Sequence, residues 1–265
     1  MISTRPAACV EIGASNVQTV LFEGDGSYRI VEGAHQPKGF ELAIAVPGLI
    51  VDGIVSESSN LGWKEVNPVE ALGLAGPAKV VVNDAEAAAL GEWVLRSTEG
   101  FGPLVYLGLG TGIGGAVVDG GEVLAGNLFG HMAGFSSARC PCGRMGCLET
   151  VAAGWSLPHP IDDEHLARAS SALATGITTE PLASGVPLVV IGGGIARRYP
   201  RLLDMTRAHL NGLVVEPTQS PPDAKSAAAW GLSYLSSDHR RAKSEDNGSR
   251  TSKRIDTRTP SNMDT

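Results

Sequence analysis

Apolar and polar positions change rhythm along the chain, and those changes mark its elements. Residues 8–32 hold three short apolar runs, ACVEIG, QTVLFEG and SYRIVEGA. They read as three strands, with an Asp25–Gly26 turn before the last. Glu41–Val46 predicts a further strand that stops at Pro47–Gly48. Residues 79–82 are a buried-type apolar run, and Asn83–Asp84 then opens AEAAALGEWVL, which has helical spacing. Leu104–Leu109 predicts a strand running into GLGTGIGG. The next stretch, GGAVVDGGEVLAG, reads as strand, turn and strand with no helix. PLVVIGGG predicts a strand that meets glycines, RLLDMTRAHLNGL a helix, and DAKSAAAWGLSYL a last helix of small residues.

Strand–turn–strand units mixed with strand–helix units indicate an α/β protein. A coarse duplication is visible. EIGASNVQTVLFEGDG and LGLGTGIGGAVVDGG each run from a strand through a glycine turn into a hairpin. Hydrophobic residues make up 43% of the 265 and charged residues 18%, too apolar a mixture for disorder along most of the length. From Ser236 onward large apolar residues all but vanish, so residues 236–265 read as a disordered tail.

The net charge of −7 is unevenly placed. The tail holds seven Lys/Arg and five Asp/Glu, which leaves the body with 14 Lys/Arg against 23 Asp/Glu. An acidic body lacks the electrostatic footprint of a nucleic-acid binder. It can still bind small anions through backbone N–H groups. No apolar run approaches the ~18 residues of a membrane span. The first residues, MISTRPAACVEIG, lack a signal peptide's apolar stretch. A cytoplasmic protein with no membrane partner is expected.

Three motifs carry chemistry. In residues 108–115, Gly110, Gly112 and Gly115 fit a dinucleotide fingerprint, but that fingerprint needs a helix after it. A hairpin stands there instead, which excludes the dinucleotide-binding fold. A glycine turn with the Thr111 hydroxyl can still cradle phosphate; a tight turn alone needs fewer glycines. The second motif is His131 with Cys140, Cys142 and Cys147. Three thiolates and an imidazole complete a closed tetrahedral Zn2+ site, which is structural rather than hydrolytic. Gly143 and Gly146 allow the tight loop. The third is Asn83–Asp84 at a strand-to-helix junction. Asp84 is either a helix cap or a general base taking a proton from a substrate hydroxyl; spacing leaves both open.

Together these motifs resemble the ROK group (repressors, open reading frames and sugar kinases) of the actin-like ATPase superfamily. The resemblance rests on VVNDAEAAALGE (81–92), LGTGIGG (109–115), Gly130–His131, CPCGRMGCLE (140–149) and IGGGI (191–195). SNLGW (59–63) is similar to the family's sugar-contacting turn. The match runs in order from about Cys9 to Leu235. It implies two actin-like (ribonuclease H-like) α/β ATPase domains with a ligand cleft between them, over residues 1–100 and 101–235. It implies Asp84 as the catalytic base, and Asn60, Asn83, His131 and Glu149 on sugar hydroxyls. It places Gly13, Ser15, Gly110, Thr111, Gly112 and Gly114 at the phosphates of ATP–Mg2+, and Gly192, Gly193 and Gly194 near the nucleotide. His131 would serve zinc through one ring nitrogen and sugar through the other. A small-molecule sugar and ATP are the implied partners, and the resemblance admits a homodimer.

The sequence also departs from that pattern. The family's first phosphate turn reads D-x-G-G-T; here it is Glu11–Ile12–Gly13–Ala14–Ser15. Leu128 stands where the family has a sugar-binding Glu, in N-L-F-G-H. The crossover helix between SYRIVEGA and FELAIAVPG is missing, which would uncover one face of the first sheet. The helical section within residues 150–186 is short. The repressor branch carries a helix-turn-helix before the first strand, where only residues 1–7 stand, so that reading is set aside. Two remain. One is a glucokinase-like, ATP-dependent kinase for a hexose or N-acetylhexosamine, drawing on Asp84, the glycine turns and Glu149. The other is a catalytically inactive relative that binds sugar or a partner, drawing on Glu11, Ala14, Leu128 and the lost helix.

Overall fold

The computed structural model describes residues 5–14, 16–96, 103–126, 129–179 and 188–237. Its elements in chain order begin with β1 (Ala7–Ile12), β2 (Val17–Phe22), β3 (Tyr28–Glu32) and β4 (Glu41–Val46). Next come β5 (Leu49–Val51), β6 (Ile54–Ser58), β7 (Trp63–Val66), α1 (Pro68–Ala71), β8 (Ala78–Asn83) and α2 (Asp84–Leu95). The second half has β9 (Leu104–Leu109), β10 (Ile113–Asp119), β11 (Glu122–Gly126), α3 (Glu149–Ala152) and α4 (Asp163–Thr179). It closes with β12 (Leu188–Gly192), α5 (Gly193–Arg198), α6 (Arg201–His209), β13 (Val214–Pro217) and α7 (Ala228–Ser236).

Two five-stranded sheets share one topology, β3-β2-β1-β4-β8 and β11-β10-β9-β12-β13. In each, an antiparallel meander leads into two parallel strands. The duplication read from the sequence is therefore real at the level of strand order. β1 and β12 are buried at every position, which is why their sequences are unbroken apolar runs rather than alternating ones.

The two long small-residue helices are exchanged between the halves. α2 follows the first sheet's last strand but packs chiefly on β9, β10 and β11; α7 follows the second sheet but packs on β1 and β4. The helices press on each other closely. A Cβ on Gly91 would overlap the Ala227 carbonyl oxygen, and one on Gly231 would overlap that of Ala87. One apolar cluster, containing Phe22, Ala45, Leu90, Trp93, Val118, Val190 and Trp230, consequently runs through both sheets and both helices.

One expectation changes. The link from β3 to β4 indeed carries no helix, yet the sheet face it was to uncover is buried. Ala8, Val10, Ile12, Leu42 and Ile44 lie beneath Val55, Leu61, Trp63, Val69, Leu72 and Leu74. The three-stranded sheet β5-β6-β7 and the turn of α1 cover it, with Ala34 and Phe40 of the short link alongside. Within 150–186, the long helix among the described residues is α4, with seventeen residues. Of the tail, residues 238–265 lie outside the described residues, and α7 runs through Ser236.

Candidate active site

The parallel strands of an open α/β sheet bind ligands at their carboxyl ends, and Asn83 and Gly192 among the predicted residues lie there. Register sets Glu11 beside Ala45 on β4 and Val46 beside Asn83 on β8. In the other sheet Gly108 and Gly192 are paired at the ends of β9 and β12.

Asn83 and Asp84 divide the helix start between them. Asn83 is the cap: its Oδ1 accepts from Ala85 N at 2.9 Å and Glu86 N at 3.3 Å. Its Nδ2 donates to the Gly48 carbonyl at 3.0 Å. Asn83 is thus buried as a structural tie. Asp84 is half-buried at the first helical position, with Oδ1 2.9 Å from Ala85 N. Burial raises its pKa above the usual carboxylate range, and the Lys225 ammonium opposes that shift. A carboxylate with that bias, at a strand end and sharing only the Ala85 N–H with the Asn83 cap, suits a general base.

Glu11 is buried at the end of β1. Its Oε1 accepts from Ser226 Oγ at 2.8 Å. Burial raises its pKa too, opposed first by Lys225 and then by the Ser226 bond. In the turn beyond, Gly13 N–H donates to the Asn16 carbonyl at 2.9 Å. Ser15 lies outside the described residues, as does Leu128.

The second glycine turn is the tip of a hairpin, with Ile113 paired to Leu109, in line with the strand–turn–strand reading of this stretch. Gly110 N–H donates to the Gly112 carbonyl at 3.0 Å; the Gly110 and Thr111 carbonyls accept from Gly154 N and Trp155 N. A Cβ on Gly114 would lie 2.7 Å from Ala85 Cβ, so this turn sits directly on the helix start that carries Asp84. Gly193, with φ of 89°, opens α5 against the Leu109 backbone, where a Cβ would overlap the carbonyl oxygen. Gly192 precedes it, and a Cβ on Gly194 would meet open space.

Glu149 joins this turn to the cysteine loop. Its Oε1 accepts from Ile113 N at 2.7 Å and Oε2 from Trp155 Nε1 at 3.3 Å. Oε2 is also 3.9 Å from His131 Nδ1. A Cβ on Gly112 would come within 2.5 Å of Oε1, so a side chain there would push the carboxylate aside.

The ligand atoms of His131, Cys140, Cys142 and Cys147 all lie within 4.8 Å of one another. His131 Nδ1 is 3.9 Å from Cys140 Sγ, and the Cys142 and Cys147 sulfurs are 3.7 Å apart. A tetrahedral zinc with Zn–S bonds of about 2.3 Å has S···S edges of about 3.8 Å, so the set fits a tetrahedral divalent ion. Gly143 and Gly146 both take positive φ, 87° and 70°. A Cβ on Gly146 would overlap the Ser136 carbonyl.

Asn60 is exposed in the β6–β7 turn, and no hydrogen bond among the described residues ties it to Asp84 or Glu149. Sequence reasoning missed Lys225, Ser226 and Trp155. Lys225 is the lone cation in an otherwise small, neutral run after Asp223, a signal that was available. Trp155 offered only its closeness to Glu149.

The sequence profile of the ROK family matches residues 28–166. An N-acetylmannosamine kinase of Haemophilus influenzae (strain PittGG) is 26% identical, over 77% of this chain and 83% of its own length. A kanosamine kinase of Amycolatopsis mediterranei (strain S699) is 30% identical, over 73% and 74%. Among solved structures, a ROK family glucokinase from Streptomyces griseus, in complex with glucose and AMPPNP, superposes with a TM-score of 0.67. It is 20% identical over 86% of this chain and 98% of that one. The chain belongs to the ROK family, and its fold is that family's two-domain actin-like α/β architecture.

Proposed function

We propose that this protein is an ATP-dependent sugar kinase that phosphorylates a hydroxyl of a hexose or N-acetylhexosamine. The observation that carries this reading is the division of labour at the start of α2. Asn83 caps the helix, which leaves the Asp84 carboxylate at a strand end beside a phosphate-type glycine turn. Asp84 takes the proton of the sugar hydroxyl, whose oxygen forms the new bond to the γ-phosphorus. The bond from phosphorus to the β–γ bridging oxygen breaks with its electron pair, and ADP leaves. Such a transfer needs positioning and charge neutralisation more than covalent help. Thr111, Gly112 and Gly114 hold phosphate oxygens of Mg2+-ATP, with Gly192, Gly193 and Gly194 beside the nucleotide.

Glu149 and the outer nitrogen of His131 receive sugar hydroxyls, with Asn60 at the rim. Residues 1–100 and 101–235 are the two domains in this reading, with α2 and α7 each packed on the other's sheet. His131, Cys140, Cys142 and Cys147 hold a zinc ion, which, when bound, fixes the loop that carries Glu149. The kanosamine, N-acetylmannosamine and glucose named for the relatives support an amino- or plain hexose as substrate.

A coupled ADP-release assay over hexoses and hexosamines, on zinc-loaded protein, tests the proposal. The expected result is release that depends on one sugar class and on Asp84. Silence across the panel would favour the second reading, an inactive sugar-binding relative. That reading draws on Glu11, Ala14 and the Gly13 N–H already bonded within its own turn.

A further inference from the structure

One N–H of the first glycine turn is already committed within the turn, because Gly13 N–H is bonded to the Asn16 carbonyl at 2.9 Å. The turn's positive charge comes from elsewhere in the chain. The Lys225 side chain lies across Gly13 so closely that a Cβ there would overlap Nζ and lie 2.6 Å from Cε. The lysine backbone is pinned on both sides. Its N–H donates to Gln18 Oε1 on β2 at 2.7 Å, and its carbonyl accepts from Arg197 on α5 at 3.0 Å. Arg197 also holds the Ala224 carbonyl at 2.9 Å. A long cation is thus delivered to the turn from a rigid base, with Glu11 and Asp84 as its anionic neighbours.

We propose that Lys225 is a further catalytic residue, whose ammonium binds the phosphoryl oxygens of ATP at Gly13, where the backbone N–H is already bonded within the turn. Without nucleotide, the Glu11 and Asp84 carboxylates attract the ammonium electrostatically. When the triphosphate enters, the ammonium donates N–H bonds to its non-bridging oxygens. A lysine acts at phosphate as a point charge on a flexible stem, so it can swing a short way between these partners. The turn tolerates this because residue 13 is glycine; a methyl there would displace Nζ. The inference rests on the kinase reading for its role in turnover, but not for its role in binding.

Calorimetric titration separates the two. Mg2+-AMPPNP and adenosine are titrated into the wild type, Lys225→Gln, Lys225→Arg and Gly13→Ala, with circular dichroism as the folding check. Lys225→Gln is expected to weaken AMPPNP by about 10–100-fold, the worth of a lost charge-assisted bond, and to leave adenosine unchanged. Lys225→Arg keeps most of the AMPPNP affinity. Gly13→Ala pushes the ammonium aside, weakens AMPPNP alone, and decides the matter if Lys225→Gln does not fold. Equal AMPPNP affinity in Lys225→Gln and wild type would overturn the proposal, as would equal losses for AMPPNP and adenosine. Tighter AMPPNP binding in Lys225→Gln, or no nucleotide binding by the wild type, would overturn it too. A wild type that binds AMPPNP through Lys225 yet releases no ADP with any sugar defeats the kinase reading alone. A working kinase whose Lys225→Gln variant binds AMPPNP normally defeats the Lys225 proposal alone.

Discussion

Asn83 and Asp84 show what a single substitution can separate. Asn83→Ala removes two bonds to the helix start and one to Gly48, so it should cost about 0.5–2 kcal/mol for the cap and somewhat more for the lost tie. Asp84→Asn should do the reverse. The folded-state pKa of Asp84 is raised by burial. The folded protein therefore holds that proton more tightly than the unfolded chain, and stability falls as pH rises through the window between the ordinary value of about 3.9 and the raised one. Above the window the cost is complete. A neutral Asn removes it, so thermal melts should show a gain at pH 7 that disappears below about pH 3.9. Turnover should fall by at least ~100-fold in the same variant. In the wild type, kcat/KM should drop on the acid side through a pKa above the usual carboxylate range. Melting curves for the two variants across pH check the stability arm. Loss of stability at pH 7 in Asp84→Asn would return Asp84 to a structural role. Trp155 gives a second handle. Its indole N–H is bonded to Glu149 while the side chain stays 39% exposed, so a sugar bound to Glu149 should change tryptophan fluorescence. Trp155→Phe should abolish that change, with only a several-fold rise in KM, in line with the ~1 kcal/mol net worth of one hydrogen bond. The strand-to-helix junction at Asn83–Asp84 was legible in the sequence, but which of the two neighbours capped the helix was not, because both side chains cap equally well.

At the scale of elements, the apolar runs of β1, β4, β9 and β12 were readable because both of their faces are buried. The strands β5 and β7 were not, being short and largely exposed. α4 buries Leu166, Ala169, Leu173 and Ile177 at helical spacing, but Ala, Ser and Thr fill the rest and blur the stripe. The crossing of α2 and α7 gives a prediction whose sign is diagnostic. In an exposed helix, Gly→Ala gains up to about 1 kcal/mol. Here Gly91→Ala and Gly231→Ala each drive a methyl into a carbonyl oxygen of the other helix, so each should lose about 1–3 kcal/mol, the usual cost of overpacking. Urea melts decide it, and a gain in either would mean the helices are not in contact as described. The cysteine loop gives another. Mass spectrometry should find about one zinc per chain, because the described residues hold one four-ligand set. Cys142→Ser should lower that occupancy and, since the loop ties to Glu149, weaken sugar binding as well. Zinc-free protein with unaltered sugar affinity would detach the loop from the site.

At the scale of the whole molecule, the exchanged helices decide how the halves communicate. α2 begins at the end of β8, carries Asp84, and lies on the second sheet; α7 follows Lys225 and lies on the first. Sugar and nucleotide would therefore each meet residues whose elements are anchored in both sheets, and binding one should preorganise the other's site. A coupling of ~1–3 kcal/mol is typical of such linkage. It should be visible in melting temperature, because a ligand at 100 times its Kd stabilises by about 2.7 kcal/mol. For a chain of this size that is roughly 5–10 °C, taking about 2–4 °C per kcal/mol. Glucose or an N-acetylhexosamine alone, AMPPNP alone, and both together should be compared. A kinase should show a combined shift larger than the sum of the two. A sugar-dependent shift that AMPPNP neither produces nor enlarges is what an inactive sugar-binding relative would give. Gly91→Ala adds a control that neither ligand touches. If the α2–α7 crossing carries the coupling, that variant should keep both single-ligand shifts and lose the excess. Retention of the full excess would place the coupling outside the crossing.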